Sequence, residues 1–257
     1  MNKQVFMTPA KRRICELDAK TIAYFRRNPL LACEEILGIQ LLDSQKYILQ
    51  NTWNASHAVW CCSRNFGKSF LLAVLILLKA ILYENQSIYI VSSVGKQSRE
   101  TFQKMETLVT GSGGAAASIQ SLKDIAANET VKTPTNKTGF SHNPEAYAVK
   151  FYNGSTIKTV NGRVDSLRGN RASLIAYDEA AFCSVEMLIT SSAYATQNTE
   201  FVTSTDDTYN PNLAPRKCPT QLIYASSQDT TDKLFYTYYR NLLNVCYLGI
   251  AIISYAT

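Results

Sequence analysis

The chain has 257 residues, of which 46% are hydrophobic and 18% charged, and its net charge is +6. These values exclude a disordered chain and leave space for one large α/β domain, with or without a small appendage. Seven cysteines, an odd number without metal-like spacing, and only two histidines fit buried thiols in a reduced cytosolic compartment. Met1-Asn2-Lys3-Gln4 lacks the apolar core of a leader. The apolar run Phe70 to Leu78 stops at Lys79 and is too short for a bilayer. A soluble, cytoplasmic protein is therefore expected. The positive charge suits a protein that meets DNA, but it is scattered. Its densest clusters, Lys11-Arg12-Arg13 and Arg26-Arg27, read first as solvated helix faces.

Residues 1–52 read as helical, with Thr21 to Leu37 interrupted at Pro29 and a second helix over Ser44 to Thr52. They form an expected N-terminal helical subdomain ahead of a core over 53–257. Ala58-Val59-Trp60 is a strand and Phe70 to Leu78 an apolar helix. Ser87 to Ser93 is a buried strand and Gly95 to Val109 the next helix, a βαβ unit that predicts parallel strands. Residues 111–145 change character and read as a surface excursion, with a short helix over Ile119 to Ala127. Ala146 to Tyr152 and Thr156 to Val160, joined by Asn153-Gly154, predict a hairpin. Ser173 to Tyr177 and Gln221 to Ile223 are apolar strands with a polar connection over 196–218. Thr231 to Leu243 reads as a helix and Val245 to Tyr255 as a last strand.

Between the first strand and its helix lies Cys62-Ser63-Arg64-Asn65-Phe66-Gly67-Lys68-Ser69. Strand, polar loop ending in Gly-Lys-Ser, then helix is the context of a phosphate-cradling P-loop. Backbone N–H groups at the helix start would face phosphate oxygens, with the helix dipole favouring their charge. Lys68 would reach the β- and γ-phosphates and the Ser69 hydroxyl would ligate Mg²⁺. The pattern's first glycine is replaced by Cys62. A second site follows the strand at Ser173 to Tyr177: the adjacent carboxylates Asp178 and Glu179. In a P-loop enzyme the first acid holds the water shell of Mg²⁺ and the second polarises the attacking water. The competing account makes Asp178 a helix cap and Glu179 a first-turn residue.

With both sites, the chain resembles the large terminase subunits of tailed bacteriophages, the motors that push DNA into empty capsids. Ser63 to Ser69 looks like that family's deviant P-loop, which often lacks the first Gly and carries an Arg inside the loop. Asp178-Glu179 matches its acidic strand end. Ser166-Leu167-Arg168-Gly169-Asn170 resembles the segment ahead of the acids, and Tyr224-Ala225-Ser226-Ser227-Gln228 the coupling motif. Gly38 to Leu49 resembles the adenine-recognising segment, with Gln45 as its glutamine.

The resemblance implies an α/β P-loop NTPase of the additional-strand catalytic-glutamate type, with a mostly parallel sheet flanked by helices. ATP and Mg²⁺ would sit on residues 62–69. Glu179 would act on the water, Ser69 and Asp178 on the metal, and Ser227 on the γ-phosphate. Arg64 within the subunit, or Arg168 offered by a neighbour, would supply an arginine finger, with Arg163 and Arg171 as further options. The implied partners are double-stranded DNA, a portal protein, a small terminase subunit and other copies in a ring. The implied place is the host cytoplasm at the procapsid portal. Large terminases usually continue into a nuclease. Nothing after Glu179 looks like a two-metal site, and Asp206-Asp207 reads as a solvated loop, so only the ATPase half is expected. A helicase-like ATPase shares these motifs but needs a second domain with its own arginines. A non-hydrolysing nucleotide-binding scaffold has no need of Ser69 and both acids.

Overall fold

Pro29 divides the N-terminal helical run. In the computed structural model, which describes residues 9–110, 128–134, 136–160, 171–195, 220–227, 234–246 and 252–256, α1 spans Pro9–Arg27 and α2 spans Pro29–Glu35. Proline at the first helical position gives up an N–H that has no intrahelical partner anyway. Helix α3 (Asp43–Thr52) follows, then β1 (His57–Cys62) and α4 (Lys68–Leu82). A helix apolar all round must be covered all round. Leu71 to Leu78 of α4 are fully buried, between the sheet and Ala32, Cys33, Ile48, Leu49 and Trp53 of the N-terminal segment, in one shared core. Lys79 is buried on the same helix. Its ammonium donates to the Trp53 carbonyl at 2.6 Å and lies 4.1 Å from the Trp53 ring centre, which compensates much of its desolvation.

The remaining elements are β2 (Ser87–Val91), α5 (Gly95–Thr110), β3 (Phe140–His142), β4 (Tyr147–Lys150), β5 (Thr156–Val160), β6 (Leu174–Asp178), a 3-10 turn at Ala180–Phe182, α6 (Val185–Ser192), β7 (Gln221–Ser226), α7 (Leu234–Cys246) and β8 (Ile252–Ala256). Eight strands form one sheet in the order β3-β4-β5-β2-β6-β7-β1-β8. All neighbours from β5 to β8 are parallel, while β3-β4-β5 is an antiparallel meander at one edge. The expected mostly parallel sheet is present. The expected hairpin is β4-β5, and Gly154 turns it with φ +86°. Asn153 in the same turn donates to the carbonyls of Ala80, Ile81 and Tyr83 and so caps the end of α4.

β1 and β2 are parallel as the βαβ reading requires, but β7 and β6 lie between them. That order places the C-terminal ends of β1, β6, β7 and β2 side by side, where ligands of open α/β sheets collect. The run read as one strand over Val245 to Tyr255 is divided instead. Val245 and Cys246 close α7, and β8 begins at Ile252. The short helix expected over Ile119 to Ala127 and the connection over 196–218 lie outside the described residues, as do residues 166–170 and Gln228. Among the described residues no helix is long and apolar enough to cross a membrane.

Candidate functional site

The loop after β1 turns on two left-handed residues, Asn65 (φ 64°) and Gly67 (φ 87°). Gly67 is needed twice over. Its φ disfavours any L side chain, and a Cβ there would stand 3.1 Å from Nε2 of Gln45. α4 starts at the next residue, so its first N–H groups open onto the loop. Lys68 is buried, and its ammonium donates to the Ser63 carbonyl at 3.3 Å. Gln45 braces the loop from behind: Nε2 donates to the Phe66 carbonyl at 3.1 Å, and Oε1 accepts from the Leu42 N–H at 3.2 Å. The side chain is only 8% exposed, so both ends of its amide are engaged by the chain itself.

β6 delivers the acids. Asp178 is buried at the strand end, and its Oδ1 accepts from the Ser69 hydroxyl at 3.3 Å across 109 residues of chain. Its other oxygen, Oδ2, accepts a hydrogen bond from the hydroxyl of Thr101 on α5. Burial raises the Asp178 pKa. The hydrogen bonds from Thr101 and Ser69 oppose that rise, Glu179 adds to it, and Lys104 counters it. Glu179 adopts a left-handed backbone, φ 56° and ψ 52°. For a non-glycine residue this costs about 1–3 kcal/mol and persists only where the surroundings enforce it. Here it swings the second carboxylate to the side of the first. Glu179 Oε2 accepts from the Ser226 hydroxyl at 3.1 Å and from the Ser227 N–H and hydroxyl at 3.4 Å. Oε1 lies 3.9 Å from Lys68 Nζ, an ion pair too long for a hydrogen bond.

Lys68, Glu179 and Ser227 border a cavity of about 310 Å³ that is also lined by Arg64, Asn65, Gln97 and Phe182. The lining joins cations and hydrogen-bond donors of the loop with the second acid. That arrangement suits a polyanion whose far end is attacked by water. The donor set also suits a hard divalent cation, because Ser69 and Asp178 offer hydroxyl and carboxylate oxygen side by side. Among the described residues no group of three or more His, Cys, Asp or Glu could hold a metal by itself. This is the ordinary case for Mg²⁺, which takes one or two protein oxygens and completes its shell with substrate phosphates and water.

No protein-family model and no curated protein matches the sequence. Solved structures do match. The large terminase of a thermophilic bacteriophage, in complex with ADP, is similar over 84% of this chain, with a TM-score of 0.56 and 10% identity. The same protein in complex with ATP-gamma-S matches over 84% with a TM-score of 0.50. The HK97 bacteriophage large terminase matches over 81%, with a TM-score of 0.57 and 14% identity. The chain has the fold of phage large terminases. It spans 45% of the thermophilic phage terminase in its ADP complex and 38% of the HK97 terminase.

In this terminase-like fold Arg64, Asn65, Lys68, Glu179 and Ser227, all singled out from the sequence, line one cavity, with Ser69 and Asp178 paired beside it. Ser63 contributes its carbonyl and Phe66 its carbonyl to the loop's internal bonding. Cys62 is the last residue of β1 and is buried in the core, not on the cavity wall. Burial raises its thiol pKa to about 11. Arg163 and Arg168 lie outside the described residues. Three contributors were missed by sequence reasoning: Thr101, Gln97 and Phe182. Thr101 and Gln97 come from α5, whose motif-free sequence carries no sign of them. Phe182 follows Glu179 by three residues, and that proximity to the acids was the available signal.

Proposed function

We propose that the chain is the ATPase part of a phage large terminase, hydrolysing ATP to drive double-stranded DNA into a procapsid. The observation that carries this reading is the meeting of two distant stretches: Lys68 and Glu179 line one cavity, and Ser69 and Asp178 are hydrogen-bonded beside it. The interposed β7 between β1 and β6 supports the additional-strand catalytic-glutamate type of P-loop NTPase, and the similarity in fold to terminases supports the motor role. The ADP and ATP-gamma-S complexes of the thermophilic phage terminase support a nucleotide as the ligand.

In the proposed mechanism the loop N–H groups and Lys68 bind the phosphates, with Arg64 at the exposed side of the cavity. Ser69 and, through water, Asp178 would hold Mg²⁺, which when bound would neutralise charge on the β- and γ-phosphates. Glu179 orients the hydrolytic water and accepts its proton. Ser226 and Ser227 fix the Glu179 carboxylate and connect it to β7, the route by which hydrolysis would reach the C-terminal segment. Gln45 holds the loop, and contact with adenine would require its amide to leave Phe66. The proposal extends to a ring of copies on the portal in the host cytoplasm, with the small terminase subunit as partner. In that ring Arg168 of one copy would serve its neighbour.

The test is ATP hydrolysis with and without double-stranded DNA. Lys68→Ala should weaken nucleotide binding. Glu179→Gln should still bind ATP but lose at least about a hundredfold in turnover, the scale of general-base catalysis. Hydrolysis at the normal rate by both variants would end the assignment.

A further inference from the structure

The hydroxyl of Thr101 has an unusual destination. Threonines inside helices commonly return their hydroxyl to the carbonyl four residues back. Thr21 does so to Leu17 and Thr110 to Glu106. Thr101, in the middle of α5 and fully buried, instead donates across to Asp178 Oδ2 on β6. A β-branched residue is a poor choice for a helix interior, and the face of α5 that it occupies also carries Phe102, Met105 and Val109 into the core. An apolar residue of the same shape would pack there equally well. The hydroxyl is therefore the feature that distinguishes this position.

Its effect follows from the two oxygens of Asp178. Oδ1 faces Ser69, and Oδ2 faces Thr101. A carboxylate at a strand end turns about its terminal torsion with little resistance. The Thr101 hydroxyl fixes that rotation, so that Oδ1 stays aimed at Ser69. Thr101 itself is held in place. One turn earlier on α5, the buried Ser98 N–H donates to the Ser92 hydroxyl at 3.0 Å, and the Ser98 hydroxyl donates to Gly95 at 3.1 Å and Val160 at 3.4 Å. These bonds fasten the start of α5 to the ends of β2 and β5.

We propose that Thr101 is a positioning residue that fixes Asp178 in the orientation required for the metal's water shell, so that α5 contributes to the nucleotide site beside the loop, β6 and the end of β7. This inference rests on the nucleotide reading given above and adds to it a residue outside both sequence motifs. Thr101 touches neither substrate nor metal; it acts through Asp178.

The experiment compares the wild type with Thr101→Val, which keeps the shape and deletes the donor, and Thr101→Ser, which restores it. ADP affinity is measured with Mg²⁺ and with chelator, and Mn²⁺ binding to the ADP complex is followed by electron paramagnetic resonance. Thr101→Val should bind ADP in chelator within about twofold of wild type yet bind Mn²⁺ roughly tenfold more weakly, the scale of one lost hydrogen bond to a charged group. Thr101→Ser should recover most of that loss. A Val variant with wild-type metal affinity overturns the proposal alone, as does a Ser variant as impaired as Val. A wild type that binds no nucleotide overturns the nucleotide reading and this proposal with it.

Discussion

Gln45 of α3 donates its amide to the Phe66 carbonyl at 3.1 Å, which ties the N-terminal helices to the phosphate loop. The contact separates two roles for this glutamine. As a brace it stiffens the loop whichever base the nucleotide carries. Gln45→Ala should then weaken ATP and GTP by the same factor, on the order of tenfold for a buried bond lost beside the site. Competition titrations with both nucleotides decide it. Loss confined to ATP would instead make Gln45 a reader of adenine.

Gly67 is bound to the same contact. Gly67→Ala places a Cβ 3.1 Å from the Gln45 amide at φ +87°. The left-handed backbone alone costs a side chain about 1–2 kcal/mol. Nucleotide affinity should fall by about tenfold or more, with a smaller change in melting temperature, because the strain is confined to the loop. Isothermal titration and thermal unfolding of the same variant give both numbers.

The arginine finger can be located by mixing. Arg64 lines the cavity within its own chain, so Arg64→Ala should abolish most turnover in any mixture. If Arg168 serves a neighbour, chains carrying Arg168→Ala mixed with chains carrying Glu179→Gln should regain hydrolysis that neither has alone. No recovery at any mixing ratio would exclude sharing between subunits.

Burial raises the thiols of Cys33 to about 12 and Cys62 to about 11, from an ordinary 9.0. Both thiols stay protonated in the folded chain while an unfolded chain ionises near 9.0. Their contribution to stability is therefore complete below pH 9 and declines as pH rises towards 11 and 12. Native alkylation at pH 8, read by peptide mass spectrometry, should leave Cys33 and Cys62 unmodified until denaturant is added.

Tyr177 stacks on Tyr224 with ring centres 4.7 Å apart and planes within 4°. Its hydroxyl meets the Ser191 hydroxyl at 2.5 Å, and Ser191 in turn donates to the Met187 carbonyl. Tyr177→Phe keeps the stack and leaves Ser191 with a partner. The cost should be about 1 kcal/mol in urea unfolding, the net value of one hydrogen bond, with hydrolysis unchanged. A loss of several kcal/mol would mean that the hydroxyl holds α6 in place.

Local chemistry determined much of this protein. Apolar runs bounded by turn residues marked β1, α4, β2 and β6, Pro29 marked the break between α1 and α2, and Asn153-Gly154 the turn between β4 and β5. Gly-Lys-Ser and Asp-Glu declared their chemistry because few other residues can hold phosphate and activate water. The division of residues 245–255 between α7 and β8 was not legible, because an apolar run alone does not distinguish a helix end from a strand. The strand at Gln221 to Ile223 was expected beside the P-loop strand, and β7 does pair with β1. The rest of the strand order was not legible, since it is set by how the helices cover both faces of the sheet. Only the tertiary structure placed both β6 and β7 between β1 and β2, turned Glu179 through a left-handed backbone, and brought Thr101 from α5 onto Asp178. Each of these depends on contacts between segments far apart in the chain, and a periodicity of two or 3.6 residues carries no record of such contacts.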